Sequence, residues 1–426
     1  MVADPKHRVV IVGAGFAGLS AARALVGEPV SVTIVDQRNF HTFQPLLYEV
    51  ATAGLDSGDV AYPIRAMFGK SPNVTFRFAT VSGVDWEART VLLGEAAALP
   101  FDSLIVATGV TAAFFGVPGA SEFALPLYTL VDAQALRDHV LRQLEVADVR
   151  PVQDDDGHLV FVVVGGGPTG VEVAGALAEL LDVAVTNDGF SFCRSDARIV
   201  LIDGVDRLLT PFKQSAGAYA ARTLEHRGVE LRLGKMVGTV TESCVELDDG
   251  SRIPTRTVVW AAGVTVEGTV ASLLGAQAGP GGRLAVEADL TMVGRDDAYA
   301  VGDAAAVPWG DPGKPDTTCP QLAQVALQSG RHAAAQICNR LAGRPTKAFR
   351  YHDKGIMATI GRKAAVTQLP KGLVIQGTLG WLAWLGLHLV YLIGFRNKIV
   401  VLVNWSWRYL SWGSGPRAIV GDQLHN

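Results

Sequence analysis

The sequence predicts an α/β fold with two β–turn–α–β units whose strands belong to parallel sheets. Three features support this prediction. The runs RVVIV (8–12) and LVFVVV (159–164) are almost wholly apolar, each leads into a glycine-rich turn, and each turn precedes a helical stretch rich in small and apolar residues. Strands that are apolar on both faces are typical of parallel sheets covered by helices on both sides. The 426 residues are enough for two or three domains.

The first unit has the pattern GxGxxG at Gly13, Gly15 and Gly18. In this pattern the first glycine permits a tight turn, the second lets the backbone approach a pyrophosphate, and the third allows close packing of helix and strand. The next strand ends at Asp36, 23 residues after Gly13, and an acid about 20 residues on can bind a ribose diol. We therefore predict a dinucleotide site here, with the phosphates at the positive end of the helix.

The second unit repeats the pattern with Gly165, Gly167 and Gly170, and its second strand ends at Asp203. The spacing from Gly165 to Asp203 is longer, 38 residues, because a polar insertion occupies 186–197. A carboxylate at this position repels the 2′-phosphate of NADPH, so we expect NADH. Arg207 keeps NADPH open as a substrate, although a solvated surface role explains this arginine as well.

Further elements follow in chain order. Strand-like runs occur at 101–109, 256–263 and 298–307, and helical patterns occur at 129–147 and 321–341. A short acidic linker at 154–157 precedes the second unit.

The composition excludes several classes of protein. With 49% hydrophobic and 18% charged residues, the chain can bury a large core, which argues against disorder. Its four cysteines are scattered and form no CxxC, so we expect neither a disulfide scaffold nor a redox cysteine pair. The N-terminus lacks the regions of a signal peptide, so we expect the protein to stay inside the cell.

Four segments together resemble the two-dinucleotide-binding-domain flavoproteins, the glutathione-reductase-like superfamily. They are the first GxGxxG, Ala107-Thr108-Gly109, Ala261-Ala262-Gly263 and Val301-Gly302-Asp303-Ala304. The resemblance implies two Rossmann-like domains that bind FAD and NADH, with Asp303 holding the ribityl chain of FAD. It implies a discontinuous FAD-binding domain (1–125 and 264–345), an NADH-binding domain (126–263) and a C-terminal membrane-association segment (346–426).

Three further segments resemble the type II NADH dehydrogenases, the non-pumping NADH:quinone oxidoreductases. They are Asn39-Phe40-His41-Thr42-Phe43-Gln44-Pro45-Leu46-Leu47-Tyr48-Glu49-Val50-Ala51, the AQxAxQ motif at 323–328, and the stretch 351–366. This resemblance implies a respiratory-chain enzyme that passes a hydride from NADH to FAD and then two electrons to menaquinone or ubiquinone, without proton pumping.

The resemblance and the motifs together give a set of site residues. Residues expected to contact FAD are Gly13, Gly15, Phe16, Ala17, Gly18, Asp36, Gln37, Arg38, Gln44, Thr108, Gly109, Asp303 and Ala323. Residues expected to contact NADH are Gly165, Gly167, Pro168, Thr169, Gly170, Glu172, Asp203, Ala262 and Gly263. Residues expected to act in catalysis are Glu172, Gln324, Gln328 and Lys354. No metal site is expected.

Each catalytic candidate also has a plainer explanation. Gln324 and Gln328 are four residues apart, so one helix face presents both amides, which can hydrogen-bond a quinone carbonyl without adding charge; two surface glutamines near a dimer contact are the alternative. Glu172 either approaches the nicotinamide or is an acid favoured by the helix dipole. Lys354 either stabilises the anionic reduced flavin or is a solvated lysine.

The C-terminal region differs in composition from the rest of the chain. Residues 340–426 contain twelve Lys or Arg and two acidic residues, the run 379–395 is uncharged apart from His388, and five of the eight tryptophans lie within 381–412. Trp381, Trp384, His388, Tyr391 and Phe395 form an aromatic stripe at helical spacing. We predict two helices, separated by a break at 396–398, that lie on the cytoplasmic face of the membrane with aromatic and basic residues at the water interface.

Other interpretations remain open at this point. The C-terminal helices also fit a buried dimerisation pair, so a homodimer stays under consideration, whereas nucleic acid is disfavoured because the segment is too apolar. For the whole chain, the alternatives are a soluble NAD(P)H-dependent ferredoxin or disulfide-type reductase, and a non-enzymatic redox-responsive interaction protein.

Overall fold

The computed structural model describes residues 6–94, 96–149, 157–266, 274–309, 318–411 and 417–419. The predicted linker residues 154–156 and Trp412 of the predicted C-terminal segment lie outside these ranges. The α-helices are α1 Phe16–Ala24, α2 Leu47–Ala51, α3 Ser57–Val60, α4 Ile64–Phe68, α5 Ala120–Phe123, α6 Leu130–Val149, α7 Pro168–Val183, α8 Gln214–His226, α9 Ala323–Leu341, α10 Gly377–Tyr391 and α11 Phe395–Ser411. Short helical turns of other types lie at Gln44–Leu46, Ala184–Asp188, Arg194–Asp196, Pro280–Gly282 and Gly302–Ala304.

The strands follow in the same numbering. They are β1 His7–Val12, β2 Val30–Asp36, β3 Phe40–Thr42, β4 Ala61–Pro63, β5 Val74–Phe78, β6 Gly83–Asp85, β7 Thr90–Leu93, β8 Ala96–Pro100, β9 Ser103–Val106, β10 Thr111–Ala112, β11 Leu125–Pro126, β12 Val160–Val164, β13 Arg198–Asp203, β14 Val229–Leu233, β15 Val237–Val240, β16 Cys244–Leu247, β17 Arg252–Pro254, β18 Thr257–Trp260, β19 Val264–Thr265, β20 Ala298–Ala300, β21 Ile356–Gly361, β22 Ala364–Gln368 and β23 Val374–Gln376.

The chain divides into two compact units. Unit 1 comprises Met1–His41, Tyr62–Thr111 and Val264–Asp353, and unit 2 comprises Thr42–Ala61, Ala112–Gly263 and Lys354–Asn426. This division differs from the predicted one, which placed 42–61 and 112–125 with the FAD-binding segments and treated 346–426 as a separate segment. The reason is long-range packing, since α2 lies against α6 and α7, and β21 lies along α7.

Unit 1 is built on a parallel five-stranded sheet in the order β20-β9-β1-β2-β5. The central strand β1 pairs with β2 through Val9 and Val32, and with β9 through Val9 and Ser103. The apolar residues of β1 are buried on both faces. Helices α1 and α9 are so close to each other that a Cβ on Gly330 would overlap the carbonyl oxygen of Ala17.

Unit 2 repeats this arrangement with the order β11-β18-β12-β13-β14, again with parallel neighbours. Two antiparallel three-stranded sheets, β15-β16-β17 and β21-β22-β23, accompany it. Strand β21 lies very close to α7, since a Cβ on Gly175 would overlap the carbonyl oxygen of Ile360. The predicted α/β class, with two Rossmann-like sheets, is confirmed.

The C-terminal helices differ from the prediction in two respects. The break between them falls at 392–394, where Gly394 has a φ of 89°, and not at 396–398. Of the five residues of the predicted aromatic stripe, Trp381, Trp384 and His388 are buried in the protein, whereas Tyr391 is exposed and Phe395 is exposed at the start of α11. Helix α10 also exposes Leu379, Leu382 and Val390. Within the described residues, no helix combines the length and apolarity needed to cross a bilayer.

Candidate functional site

The first glycine turn has the geometry that its sequence predicts. Gly13 has a φ of 101°, and a Cβ there would overlap the carbonyl oxygen of Ala107, which ends the neighbouring strand. A Cβ on Gly18 would overlap the carbonyl oxygen of Gly13. By contrast, space is open next to Gly15, where α1 begins. Gly13 and Gly18 thus allow close packing of helix and strands, and Gly15 leaves room beside the helix N-terminus.

Asp36 lies directly at this turn. Its carboxylate accepts hydrogen bonds from the backbone N–H groups of Ala14 (2.7 Å) and Arg38 (2.8 Å). Burial raises the pKa of Asp36, and these two bonds oppose that effect. Because each carboxylate oxygen has a second lone pair, Asp36 can still accept from a ribose hydroxyl.

His41 also lies next to this turn, although the sequence predicts no role for it. Its Nδ1 is 3.1 Å from the carbonyl oxygen of Ala14, and its ring meets that of Phe16 edge-on at 4.9 Å. Burial lowers the pKa of His41 to about 4, so the imidazole is neutral and fixes the turn without adding charge. The only signal in the sequence was its place directly after β2 within the 39–51 segment.

Asp303 lies beside the same turn. Gly302, with a φ of 68°, approaches the Cβ of Ala17, and its N–H donates to Ser329 on α9 (3.0 Å). One carboxylate oxygen of Asp303 is buried and has no hydrogen-bond partner in the described structure. Burial raises the pKa of Asp303 to about 6, opposed by the nearby Arg283. An unpartnered buried acceptor next to an open dinucleotide turn fits a hydroxyl-bearing chain such as the ribityl of FAD.

The two glutamines of α9 lie one turn apart on the helix, and both are partly exposed. Gln328 pairs with the backbone of His352: its Nε2 donates to the carbonyl oxygen and its Oε1 accepts from the N–H, both at 3.0 Å. The two side chains share one helix face, and the amide of Gln328 is hydrogen-bonded to the backbone of His352.

The second glycine turn repeats the geometry of the first in unit 2. Gly165 has a φ of 115°, and a Cβ there would overlap the carbonyl oxygen of Ala261. A Cβ on Gly170 would overlap the carbonyl oxygen of Gly165, whereas space next to Gly167 is open. Pro168 occupies the first position of α7, where its missing N–H costs no hydrogen bond.

Asp203 takes the place that Asp36 has in unit 1. It accepts hydrogen bonds from the backbone N–H groups of Gly166 and, at 2.7 Å, Val205. Arg207 donates to the carbonyl oxygens of Thr210 (2.8 Å) and Phe212 (3.5 Å), so it stabilises its own loop. This favours the structural explanation of Arg207 over a 2′-phosphate contact.

Glu172 lies one turn into α7 in a cluster of buried groups. Its carboxylate accepts a hydrogen bond from the N–H of Thr359 at 3.3 Å. The indole of Trp384 also lies near this carboxylate and favours its ionised form, although the two groups form no hydrogen bond of normal geometry. Burial is the largest effect and raises its pKa from 4.5 to about 8; the negative charge of Glu49 adds to it. The carboxyl can therefore hold or release a proton near neutral pH.

Glu49 and Trp384 were not predicted as site residues. Glu49 is buried on α2 and accepts a hydrogen bond from the Tyr48 hydroxyl at 3.1 Å. Trp384 is 1% exposed; it stacks on His388 and meets the Tyr48 ring edge-on. A single acid within the apolar run LLYEVA was the available signal for Glu49.

Lys354 also contacts the C-terminal region. Its Nζ is 3.3 Å from the hydroxyl of Tyr391, the last residue of α10. The side chain is exposed. This contact joins the start of the 354–426 segment to the end of its first helix.

The predicted residues thus fall into two groups. Those in unit 1 are Gly13, Gly15, Phe16, Ala17, Gly18, Asp36, Gln37, Arg38, Thr108, Gly109, Asp303, Ala323, Gln324 and Gln328. Those in unit 2 are Gln44, Gly165, Gly167, Pro168, Thr169, Gly170, Glu172, Asp203, Ala262, Gly263 and Lys354. Gln44 was expected at FAD; in unit 2 its side chain donates to the carbonyl oxygen of Tyr128 at 3.2 Å. Among the residues that the structure describes, no cluster of His, Cys, Asp and Glu could bind a metal ion.

Comparison with known proteins adds independent evidence. Residues 7–330 match the family of pyridine nucleotide-disulphide oxidoreductases. The type II NADH:quinone oxidoreductases NdhA and Ndh of Mycobacterium tuberculosis are 38% and 37% identical to the chain; the alignments cover 99% and 98% of this chain and 91% of each relative. The solved structure of NDH2 from Plasmodium falciparum in complex with NADH superimposes with a TM-score of 0.86 at 18% identity, covering 97% of this chain and all of that one, which shows a shared fold.

Proposed function

Because the chain belongs to the type II NADH:quinone oxidoreductases, we propose a role for each of its site residues in the reaction of that family. The protein is an FAD-containing enzyme that oxidises NADH and reduces a quinone. When bound, FAD supplies hydride acceptance and two-electron transfer. The observation that carries the assignment of sites is the duplicated turn, with one open helix N-terminus and one strand-end acid in each unit.

Unit 1 holds FAD in this proposal. The open space at Gly15 takes the pyrophosphate, since a helix N-terminus and its free N–H groups attract phosphates. Asp36 accepts from the adenosine ribose, and the unpartnered oxygen of Asp303 accepts from the ribityl chain. Arg283 limits the energetic cost of burying the Asp303 charge.

Unit 2 holds NADH. Gly167 and the N-terminus of α7 receive its pyrophosphate, and Asp203 accepts from the adenosine ribose. Glu172, four residues further along α7, faces the reacting half of the dinucleotide. With a pKa near 8, its carboxyl exchanges a proton during turnover at neutral pH.

Gln324 binds the quinone. Its amide offers both a donor and an acceptor, and it adds no charge next to an apolar ring. Menaquinone and ubiquinone both present the carbonyl oxygens that such an amide recognises. Lys354, whose side chain is exposed, stabilises the anionic reduced flavin.

The central experiment separates the two half-reactions of purified Gln324→Ala. We expect anaerobic reduction of the flavin by NADH to proceed at nearly the wild-type rate, and reoxidation by a short-chain quinone to slow by ten-fold or more. Val131→Ala, which shortens an exposed side chain on α6, is the control. Equal losses in both half-reactions would contradict the role of Gln324, and a colourless purified protein would contradict FAD binding altogether.

We further propose that α10 and α11 attach the protein to the cytoplasmic surface of a membrane, the side from which NADH is supplied. The support is a row of exposed apolar side chains, including Leu379 (70%), Val390 (69%) and Phe395 (80%), next to basic residues such as Arg396. Contiguous exposed apolar surface of this kind marks an interaction site.

Vesicle flotation tests the attachment. The triple variant Leu379→Ser/Val390→Ser/Phe395→Ser should lose binding to vesicles containing phosphatidylglycerol, whereas Val131→Ser/Val149→Ser on α6 should keep it. If the triple variant still floats but sediments as a smaller species, this face is instead an interface of a homodimer. Protease digestion of inverted and right-side-out membranes would test the cytoplasmic orientation.

A further inference from the structure

Phe115 is an aromatic residue whose conformation and exposure the established activity does not explain. Its φ is 52° and its side chain is 69% exposed. The N–H of Val117 donates to the carbonyl oxygen of Phe114, and both central residues of this turn, Phe115 and Gly116, have positive φ. This is the pattern of a type I′ turn, in which Asn or Gly is strongly preferred at the position that Phe115 occupies.

The turn cannot relax easily, because the loop is fixed at both ends. The N–H of Ala113 donates to Gly263 (3.0 Å), and its carbonyl oxygen accepts from the Trp260 indole (2.7 Å). Phe114 packs against the ring of Trp260 and the buried core around it. Further along, the N–H of Val240 donates to Pro118. With Phe114 directed inward, the next side chain is held outward in a strained conformation.

The ring of Phe115 covers a position at the carboxyl edge of the unit 2 sheet. A Cβ on Gly263, which follows β18, would lie 2.9 Å from its Cζ. Ligands of open parallel sheets bind at this edge. Because Gly263 carries no side chain, the ring of Phe115 supplies apolar surface at this position.

The strand order indicates which half of NADH reaches this ring. The sheet runs β18-β12-β13. Asp203 ends β13 and marks the adenosine ribose, and the Gly165 turn after β12 marks the pyrophosphate. The dinucleotide therefore continues toward β18, and its nicotinamide half arrives at Gly263.

We propose that Phe115 is a positioning residue whose ring packs on the nicotinamide half of NADH. This inference rests on the proposed NADH site in unit 2. It explains why a residue that disfavours the left-handed region stands at the tip of a fixed turn, since strained residues that their surroundings hold in place tend to cluster at ligand sites.

The test combines binding and stability measurements on the holoenzyme. Phe115→Asn should weaken the apparent Kd for NADH in anaerobic flavin reduction by about ten-fold, within the range of a lost ring-stacking contact, and should raise the Tm by about 2 °C because Asn suits the turn. Phe115→Leu should weaken NADH binding while leaving the Tm nearly unchanged. Val131→Ala should change neither quantity.

Ligands that contain only part of NADH locate the contact. The affinity for AMP, measured by competition with NADH, should be the same in wild-type and Phe115→Asn enzyme, because AMP lacks the nicotinamide half. Unchanged NADH affinity in both Phe115 variants would overturn the inference while flavin reduction by NADH still upheld the proposed function. An equal loss of AMP affinity, or a loss confined to quinone reduction, would also overturn it.

Discussion

Replacing Glu172 by glutamine should change how the stability of the protein depends on pH. Glutamine has the shape of the neutral carboxyl group but cannot ionise. In the folded protein the pKa of Glu172 is about 8, against 4.5 for the ordinary side chain, mainly because burial disfavours the charge. Between these two values the folded state keeps a proton that the unfolded state has released, so the wild-type protein loses stability as the pH rises through this window.

The size of the effect follows from the shift. A shift from 4.5 to about 8 corresponds to about 5 kcal/mol at ~1.36 kcal/mol per pKa unit. Glu172 keeps some solvent-accessible surface, so we expect about half of this value. The free energies of unfolding of wild type and Glu172→Gln should be similar near pH 5, and by pH 8.5 the variant should be the more stable protein by about 2–3 kcal/mol.

Urea unfolding of the holoenzyme at pH 5.5, 7.0 and 8.5, followed by tryptophan and flavin fluorescence, measures this difference. Glu225→Gln on α8, where the carboxyl group is exposed, serves as the control and should follow the wild type at every pH. If Glu172→Gln and wild type lose stability in parallel between pH 5.5 and 8.5, Glu172 is ionised in the folded protein across this range, which would contradict the raised pKa of this carboxyl group.

Three further predictions concern stability and cofactor content. Gln328→Met removes two hydrogen bonds to the 352 backbone and should lower the free energy of unfolding by about 1–2 kcal/mol in urea titrations; no loss would mean that the pairing contributes nothing. Gly175→Ala, which forces a methyl group against β21, should lower the Tm, whereas Gly386→Ala on the exposed side of α10 should raise it; shifts of the same sign would refute the packing argument. Asp303→Ala should reduce the ratio of flavin to protein absorbance in the purified enzyme, and full FAD occupancy would show that this carboxylate is not needed to hold it.

The dinucleotide turns were predictable from the sequence because they depend on local requirements. Gly13 and Gly165 stand where φ is positive and where a neighbouring strand leaves no room for a side chain. Asp36 and Asp203 were predictable as strand-end acids because each closes the apolar run of its strand. The longer spacing between Gly165 and Asp203 did not change the predicted fold, because the insertion at 186–197 leaves β13 in register with β12.

The surroundings of Glu172 were not predictable in the same way. Its pKa depends on Glu49, Thr359 and Trp384, which are 123, 187 and 212 positions away in the numbering. Segment 42–61 reaches this cluster only because α2 packs on α6 and α7. The same holds for Gln328, where helical spacing gave the shared face with Gln324 but not the His352 backbone that its amide meets.

The C-terminal segment shows what the spacing of aromatic residues along a helix can predict and what it cannot. The aromatic spacing indicated the face that Trp381, Trp384 and His388 share on α10, but Phe395 belongs to α11. Spacing alone does not distinguish an aromatic face that contacts lipid from one that contacts protein. Trp384 is buried because Tyr48 and His388 surround it, so the aliphatic side is the one left exposed.

The sequence alone determined the backbone framework, namely two turn-bearing parallel sheets and their strand-end acids, because glycine conformations and strand periodicity are set within a few residues. Only the tertiary structure decided the proton affinity of Glu172, the partners of Gln328, the outward side of α10 and the strained position of Phe115. These depend on which distant groups displace water from a side chain, and no local pattern records that.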